Sequence, residues 1–315
     1  METRFLSIHD PEIPRALDRD GVVFLSDVLD PHTVEEARDR LDKYESDVLP
    51  TIPRSNYDLQ DDGKLHQYRD VERFDEWFHD LVHRPTITDA VRRAVDWEPR
   101  LFYLEVFPKP PGAAGADPHQ DLYTAPVEPP QFLHLWIPLV DVGPHNGGIF
   151  FYPGTHRLGI APHIERAGKP PTVDPQVLER LASYRIQVAC PAGSAALFGG
   201  DMIHYSERNT SDRSRPALVI GFRGVHTVIN DEVDIVTSLV ARLYREEIGL
   251  TRCRPDDDFY QLGGEDAARD RILDRLALDY GVTVAPEDHR EFASPEALAN
   301  LVVGRRDDRL RQTSR

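Results

Sequence analysis

Between residues 100 and 227 the chain breaks into short, strand-length runs separated by Gly/Pro turns. They are LFYLEVF (101–107), FLHLWIPLV (132–140), GIFFYP (148–153), RIQVAC (185–190), SAALFG (194–199) and PALVIGFRG (216–224). Each is rich in β-branched or aromatic residues, which fit a pleated, half-buried surface. Many short strands of this kind predict a sandwich or barrel and argue against alternating βαβ units.

The flanks read differently. From Asp10 to about Trp97 the pattern is mostly helical. Asp30 can cap a helix that has Pro31 at its first position, and Val34, Ala37, Leu41 and Tyr44 then recur at helical spacing. A second helical run covers Ile87 to Val95. Residues 49–72 between them are polar and rich in turn formers, so a long loop is expected there. In that loop His66, Gln67, Tyr68 and Arg69 read equally well as a substrate lid or as solvated chain.

Beyond Val228 the helical signal returns, with Ile235, Val236, Leu239, Val240, Leu243 and Ile248 as an amphipathic stripe. A helix through Ile272, Leu273 and Leu276 follows, then a short one capped by Ser294 with Pro295 first. The expected organisation is an α+β domain over 1–227 and a small all-α unit over 228–315, with the boundary near 228–234.

Composition narrows the chemistry. The 315 residues carry a net charge of −17, with no basic run to track a phosphate backbone, so nucleic acid is not an expected partner. No stretch of about 20 apolar residues is present, so no membrane span is expected. The first twenty residues carry charges where a signal peptide needs an apolar run, so a soluble, cytoplasmic protein is expected. Two isolated cysteines, Cys190 and Cys253, cannot make a disulfide scaffold or a cysteine-only zinc site. Reactive groups must therefore come from His, carboxylates and Arg.

The most informative local feature is His119-Gln120-Asp121, just after the turn KPPGAAGAD. On an extended strand, residues i and i+2 share a face, so the imidazole and the carboxylate would converge. His204, after the strand and turn SAALFGGDM, is the best third ligand. Two His and one carboxylate on one face of an octahedron leave positions open, which suits non-haem Fe(II) oxygen chemistry. His134 and His226, in or beside strands, read as core or edge histidines, and His156 as a structural residue. Asn146-Gly147-Gly148 reads as a hairpin turn.

Taken in order, ALDRDGVVFLSDVLDPHTVEEARDRL, PHQD, HLWIPLVDVGPHNGGIFFYPGTHRLG and HYSERNTSDRSRPALVIGF resemble the phytanoyl-CoA dioxygenase family of Fe(II)/2-oxoglutarate oxygenases. The resemblance covers residues 10–227. It implies a double-stranded β-helix (jelly-roll, cupin-like) core with flanking helices, and His119, Asp121 and His204 as iron ligands. It also implies 2-oxoglutarate as cosubstrate with O2, its far carboxylate held by Arg215 and Ser206, and Trp136 lining the cofactor pocket. A guanidinium offers that carboxylate a permanently charged, bidentate fork. Related halogenases replace the carboxylate ligand with a small residue to make room for chloride; with Asp121 present, hydroxylation or a related C–H oxidation of a small molecule is expected.

Residues 234–303 resemble an acyl or peptidyl carrier domain of biosynthetic assembly lines, on DIVTSLVARLYREEIGL, PDDDFYQLGG and RILDRLALDYGVTVAPEDHREFASPEALANLV. Carrier domains place a phosphopantetheine-bearing Ser shortly after Leu-Gly-Gly. Here Asp266 stands at that position, so the unit is expected to be a degenerate carrier that cannot be loaded. Asp266 also suits a helix N-cap. Docking onto an assembly-line protein, a structural role and a functionless relic are all compatible with such a unit. Two further readings remain open: an interaction protein whose pseudo-carrier is the working part, and an oxygenase whose substrate rides on a separate carrier.

Overall fold

The computed structural model describes residues 4–313 apart from 53, 61, 125–126, 167–168, 188, 230–231 and 281. The chain divides into two compact units, Met1–Val228 and Ile229–Arg315.

In the first unit the described residues form an eight-stranded sheet. Its spatial order is Phe5–Ser7, Val22–Ser26, Ala195–Gly199, Phe132–Pro138, Ala217–Gly224, Pro99–Phe107, Leu65–Tyr68 and Tyr57–Leu59. Only the first pair is parallel. A second, three-stranded sheet runs Ile186–Gln187, Ile149–Phe151 and His204–Ser206. It packs on the first through Phe151, whose ring centroid lies 5.9 Å from that of Phe24 and 5.1 Å from that of Phe198.

The central strands are buried on both faces, so their two residue parities serve two different cores. Leu133, Leu135, Ile137, Leu197, Leu218 and Ile220 pack against helical residues such as Ile13, Leu41, Phe78 and Ile87. Trp136, Phe198 and Val219, of opposite parity, face the space between the sheets. The helix Pro31–Lys43 begins as expected: Asp30 Oδ1 accepts from the Thr33 amide at 3.0 Å, and Thr33 Oγ1 donates back to Asp30 Oδ2 at 2.8 Å.

Residues 49–72 are not a simple loop. Tyr57–Leu59 and Leu65–Tyr68 form an antiparallel hairpin that extends the large sheet beyond Pro99–Phe107. The anchor is Tyr68, fully buried and stacked on Tyr44 at 5.9 Å. That long-range aromatic packing outweighs the polar local composition.

The second unit has its own core of Val236, Val240, Tyr244, Phe259, Ile272 and Leu298. The helix opened by Pro295 is not short; it spans Pro295–Thr313, and Ser294 Oγ accepts from the Ala297 amide at 3.3 Å. Asp266 is the first residue of the helix Asp266–Tyr280 rather than its cap. The Glu265 carbonyl accepts the first helical bonds, from the amides of Ala268 and Arg269. The Asp266 carboxylate turns outward to Arg269 at 2.7 Å and Arg290 at 3.2 Å. Among the described residues, no helix is long and apolar enough to cross a membrane.

Candidate active site

His119 and His204 meet through backbone pairing. Each donates its amide to the other's carbonyl, at 3.0 and 3.1 Å, in an isolated antiparallel bridge. This brings the ring centroids to 4.3 Å. His119 and Asp121 do not share a strand face as the extended reading required, because the chain turns after His119 and Asp121 opens the one-turn helix Asp121–Thr124. The ligand atoms nonetheless converge, with one from each of His119, Asp121 and His204 within 4.8 Å of the others.

The two imidazoles are oriented alike. His119 Nδ1 lies 2.7 Å from the Asp117 carbonyl, and His204 Nδ1 lies 3.0 Å from that of Met202. A carbonyl only accepts, so each Nδ1 carries the proton and each Nε2 presents its lone pair. Those Nε2 atoms stand 3.5 and 3.7 Å from the Asp121 carboxylate, room for a cation among them. Burial pushes His204 down to about 4, keeping it neutral as metal ligation requires. Burial works against the Asp121 charge, yet His204 and His134 hold the carboxyl well below its ordinary range.

Two residues hold this arrangement in place, and neither was expected to belong to the site. Gln120 is fully buried. Its amide donates to the carbonyls of Gly159 at 3.0 Å and Asp201 at 2.5 Å, and its Oε1 accepts from the Ala161 amide at 2.7 Å. Gln120→Leu would strand those groups at about 1–3 kcal/mol each. The expected result is a lower melting temperature and a ~10–100-fold loss of metal affinity, as for other residues that orient ligands. Unchanged affinity in a Co(II) titration of the folded variant would refute this role.

His134 is no ordinary core histidine. Its Nε2 lies 2.6 Å from the Tyr103 hydroxyl, and its Nδ1 faces Asp121 Oδ2 at 3.2 Å, out of line for a hydrogen bond. Its parity with Trp136 on the 132–138 strand was the available signal.

His119, Asp121, His134 and His204 line a cavity of about 170 Å³, and Arg215, Lys109 and Ser206 line it as well. Arg215 is buried, lies 5.5 Å over the Trp136 ring, and donates one bond from Nη2 to the Gly147 carbonyl at 3.1 Å. Its Nε and Nη1 have no partner. Lys109, which the sequence reading passed over, donates from Nζ to Ser206 Oγ at 2.8 Å, and the Ala116 amide donates to the same oxygen at 3.1 Å. With both lone pairs used, the Ser206 hydroxyl has only its proton to offer. Three donors with unspent hydrogens in a buried pocket fit a carboxylate.

Lys109 is itself held tightly. Its backbone is left-handed (φ 39°), and its carbonyl accepts from Asn209 Nδ2 at 2.8 Å and the Arg215 amide at 3.1 Å. Its side chain runs over Gly147, where an added Cβ would lie 2.2 Å from Lys109 Cε.

Residues 17–217 match the phytanoyl-CoA dioxygenase (PhyH) family. The chain is 30% identical over 153 residues to phytanoyl-CoA dioxygenase domain-containing protein 1 of Danio rerio, covering 46% of this chain and 52% of that protein. It is 24% identical over 244 residues to the ectoine dioxygenase of Nocardia farcinica, covering 70% of this chain and 80% of that enzyme. The chain thus spans only about half the length of the vertebrate relatives it matches. The structure of EctD from S. alaskensis with 2-oxoglutarate and 5-hydroxyectoine superposes with a TM-score of 0.60 at 18% identity, over 71% of this chain and 80% of that one. That likeness gives the first unit a cupin-like fold. A match to two-thirds of the sequence and a shared architecture lead to one assignment: the chain belongs to the phytanoyl-CoA dioxygenase family.

Proposed function

We propose that this protein is an Fe(II)- and 2-oxoglutarate-dependent dioxygenase that oxidises a small molecule. His119, Asp121 and His204 would hold the iron, with Arg215, Ser206 and Lys109 holding the far carboxylate of 2-oxoglutarate. One observation carries this reading: a single cavity is lined by two imidazoles and a carboxylate whose ligand atoms converge, and by buried donors with unspent hydrogens. When bound, the iron and 2-oxoglutarate supply O2 activation, with release of succinate and CO2 as a C–H bond is oxidised. The chain's part is to fix both groups and to keep water out with Trp136, Phe198 and Val219. As an iron ligand Asp121 would fill the position that related halogenases leave for a halide, which favours hydroxylation.

The test is succinate formation from 2-oxoglutarate by Fe(II)-loaded protein. No succinate, together with no Fe(II)-dependent charge-transfer absorption on adding 2-oxoglutarate, would overturn the reading.

Lys109 makes the cosubstrate step sensitive to pH. Burial, and then its neighbour Arg215, push its pKa down to about 7. A dianion prefers the protonated amine, so binding raises that pKa, and above pH 7 the protein must take up a proton to bind. Affinity for 2-oxoglutarate is expected to fall by up to ~10-fold per pH unit as pH rises through that value. Calorimetry in buffers of different ionisation enthalpy should show the proton uptake, and Lys109→Met should abolish it. Uptake that persists unchanged in Lys109→Met would count against this role.

For the setting of the reaction we propose bacterial secondary metabolism, on a free intermediate or one tethered to a carrier protein. Support comes from the second unit, which we read as a degenerate carrier domain that docks the oxygenase onto a biosynthetic partner. It is a helical unit in which Asp266, at the position of the missing Ser, is paired with Arg269 and Arg290.

A further inference from the structure

One charged group in the cavity has no part in holding either the metal or the cosubstrate. On the strand Pro99–Phe107, Leu104 and Val106 are fully buried on the helix side, and Tyr103, Glu105 and Phe107 point into the cavity. Glu105 stands opposite Val219 in the sheet, so an apolar side chain there would complete the wall. A carboxylate in that position costs desolvation and gives nothing back to packing.

Its neighbours leave it only partly compensated. Arg69 Nε lies 4.0 Å away, but that guanidinium also bonds Asp58 and Gln67. Gln67 is within reach as a donor. The other two cations of the cavity are Arg215 and Lys109, and Lys109 is already bonded to Ser206. His134 and Asp121 also act on Glu105 electrostatically, in opposite directions. Ring faces complete its surroundings, with Tyr103 and Phe107 flanking it on its own strand and the His66 ring perpendicular to Phe107 at 6.1 Å. Burial lowers the pKa of His66, so it adds a ring face rather than a positive charge.

A carboxylate set among ring faces is a receptor for a cationic nitrogen, which gains both the ion pair and cation–π attraction. Building on the oxygenase reading, we infer that Glu105 is the substrate-recognising carboxylate and that the substrate carries a basic amine. Burial pushes the Glu105 carboxyl up to about 7 even though His134 and Arg69 pull it down, and a bound ammonium would restore its charge. The hairpin Tyr57–Tyr68, which supplies His66 and Gln67, then forms part of the substrate wall.

The inference can be tested on the full chain loaded with Fe(II) and 2-oxoglutarate. The charge-transfer band of that complex comes first: if it does not form, the oxygenase reading fails and Glu105 is not the issue. With the band in hand, benzylamine and n-butylamine are titrated beside their N-acetyl derivatives, reading saturable perturbation of the band. The amines are expected to bind at least tenfold more tightly than the neutral derivatives. Glu105→Gln should remove that preference without weakening the N-acetyl compounds, and Glu105→Asp should retain part of it. Thermal melts of both variants report whether they fold. Equal affinity for amine and amide, no saturable perturbation by either amine, or a Glu105→Gln effect equal on both classes would each overturn the inference.

Discussion

His204→Ala is expected to lower Fe(II) affinity by well over ~100-fold, because removing a ligand should cost more than the 10–100-fold lost when an orienting partner is removed. Succinate formation should fall to background with it. The imidazole's hydrogen bond runs from Nδ1 to its neighbouring Met202 carbonyl, and its ring packs on Phe198, so the substitution costs some packing but removes no long-range hydrogen bond. The His119–His204 backbone bridge survives the substitution, since it uses only main-chain atoms. What disappears is one of the two lone pairs facing Asp121. The variant should therefore fold, leave the Arg215 and Lys109 cations intact and fail to retain metal in a dialysis or calorimetric titration. Wild-type metal affinity in folded His204→Ala would refute the assigned ligand set.

Arg215→Met is expected to act in opposite directions on the ligand-free and ligand-bound protein. Without 2-oxoglutarate, Arg215 is a buried cation with two unpartnered nitrogens, which burial pushes down to about 10. A methionine of similar length can keep contact with Trp136 and removes that desolvation penalty, so the melting temperature should hold or rise. With 2-oxoglutarate, the missing partner of a buried charge pair costs about 2 kcal/mol or more, equivalent to ~30-fold in Kd. Lys109 limits the loss, because removing Arg215 also removes a like charge beside it. Thermal melts with and without 2-oxoglutarate separate the two effects: the wild type should gain stability from the ligand and the variant should gain much less. A destabilised ligand-free variant with normal ligand stabilisation would contradict this account.

The strand-rich middle was legible because its apolar runs are dense and bounded by turn formers; Phe132–Pro138, Ala195–Gly199 and Ala217–Gly224 lie within the expected segments. The helix after Asp30 was legible because capping is local chemistry, a side chain reaching an amide three residues on. The edge hairpin at 57–68 was not, since Tyr68 stacks on Tyr44, which in turn packs on Phe78, rather than on anything near it in sequence. The site shows the same division. His119, Asp121 and His204 are legible as residue types in order, but nothing local marks Gln120, whose three side-chain hydrogen bonds reach segments 39 to 81 residues away.

By itself, then, the sequence determined which chemical groups this protein possesses and where its densest strands and its locally capped helices lie, because side-chain chemistry, turn residues and caps act over a few positions. Only the tertiary structure decided which of those groups meet. The backbone bridge that joins His119 to His204 links residues far apart in the chain, and the long Lys109 side chain takes its direction from Gly147 and Ser206, both distant in sequence. Which face of a strand Glu105 and His134 present was set by packing of the neighbouring parity against the helices. Those encounters depend on register and burial across distant segments, and no local pattern records them.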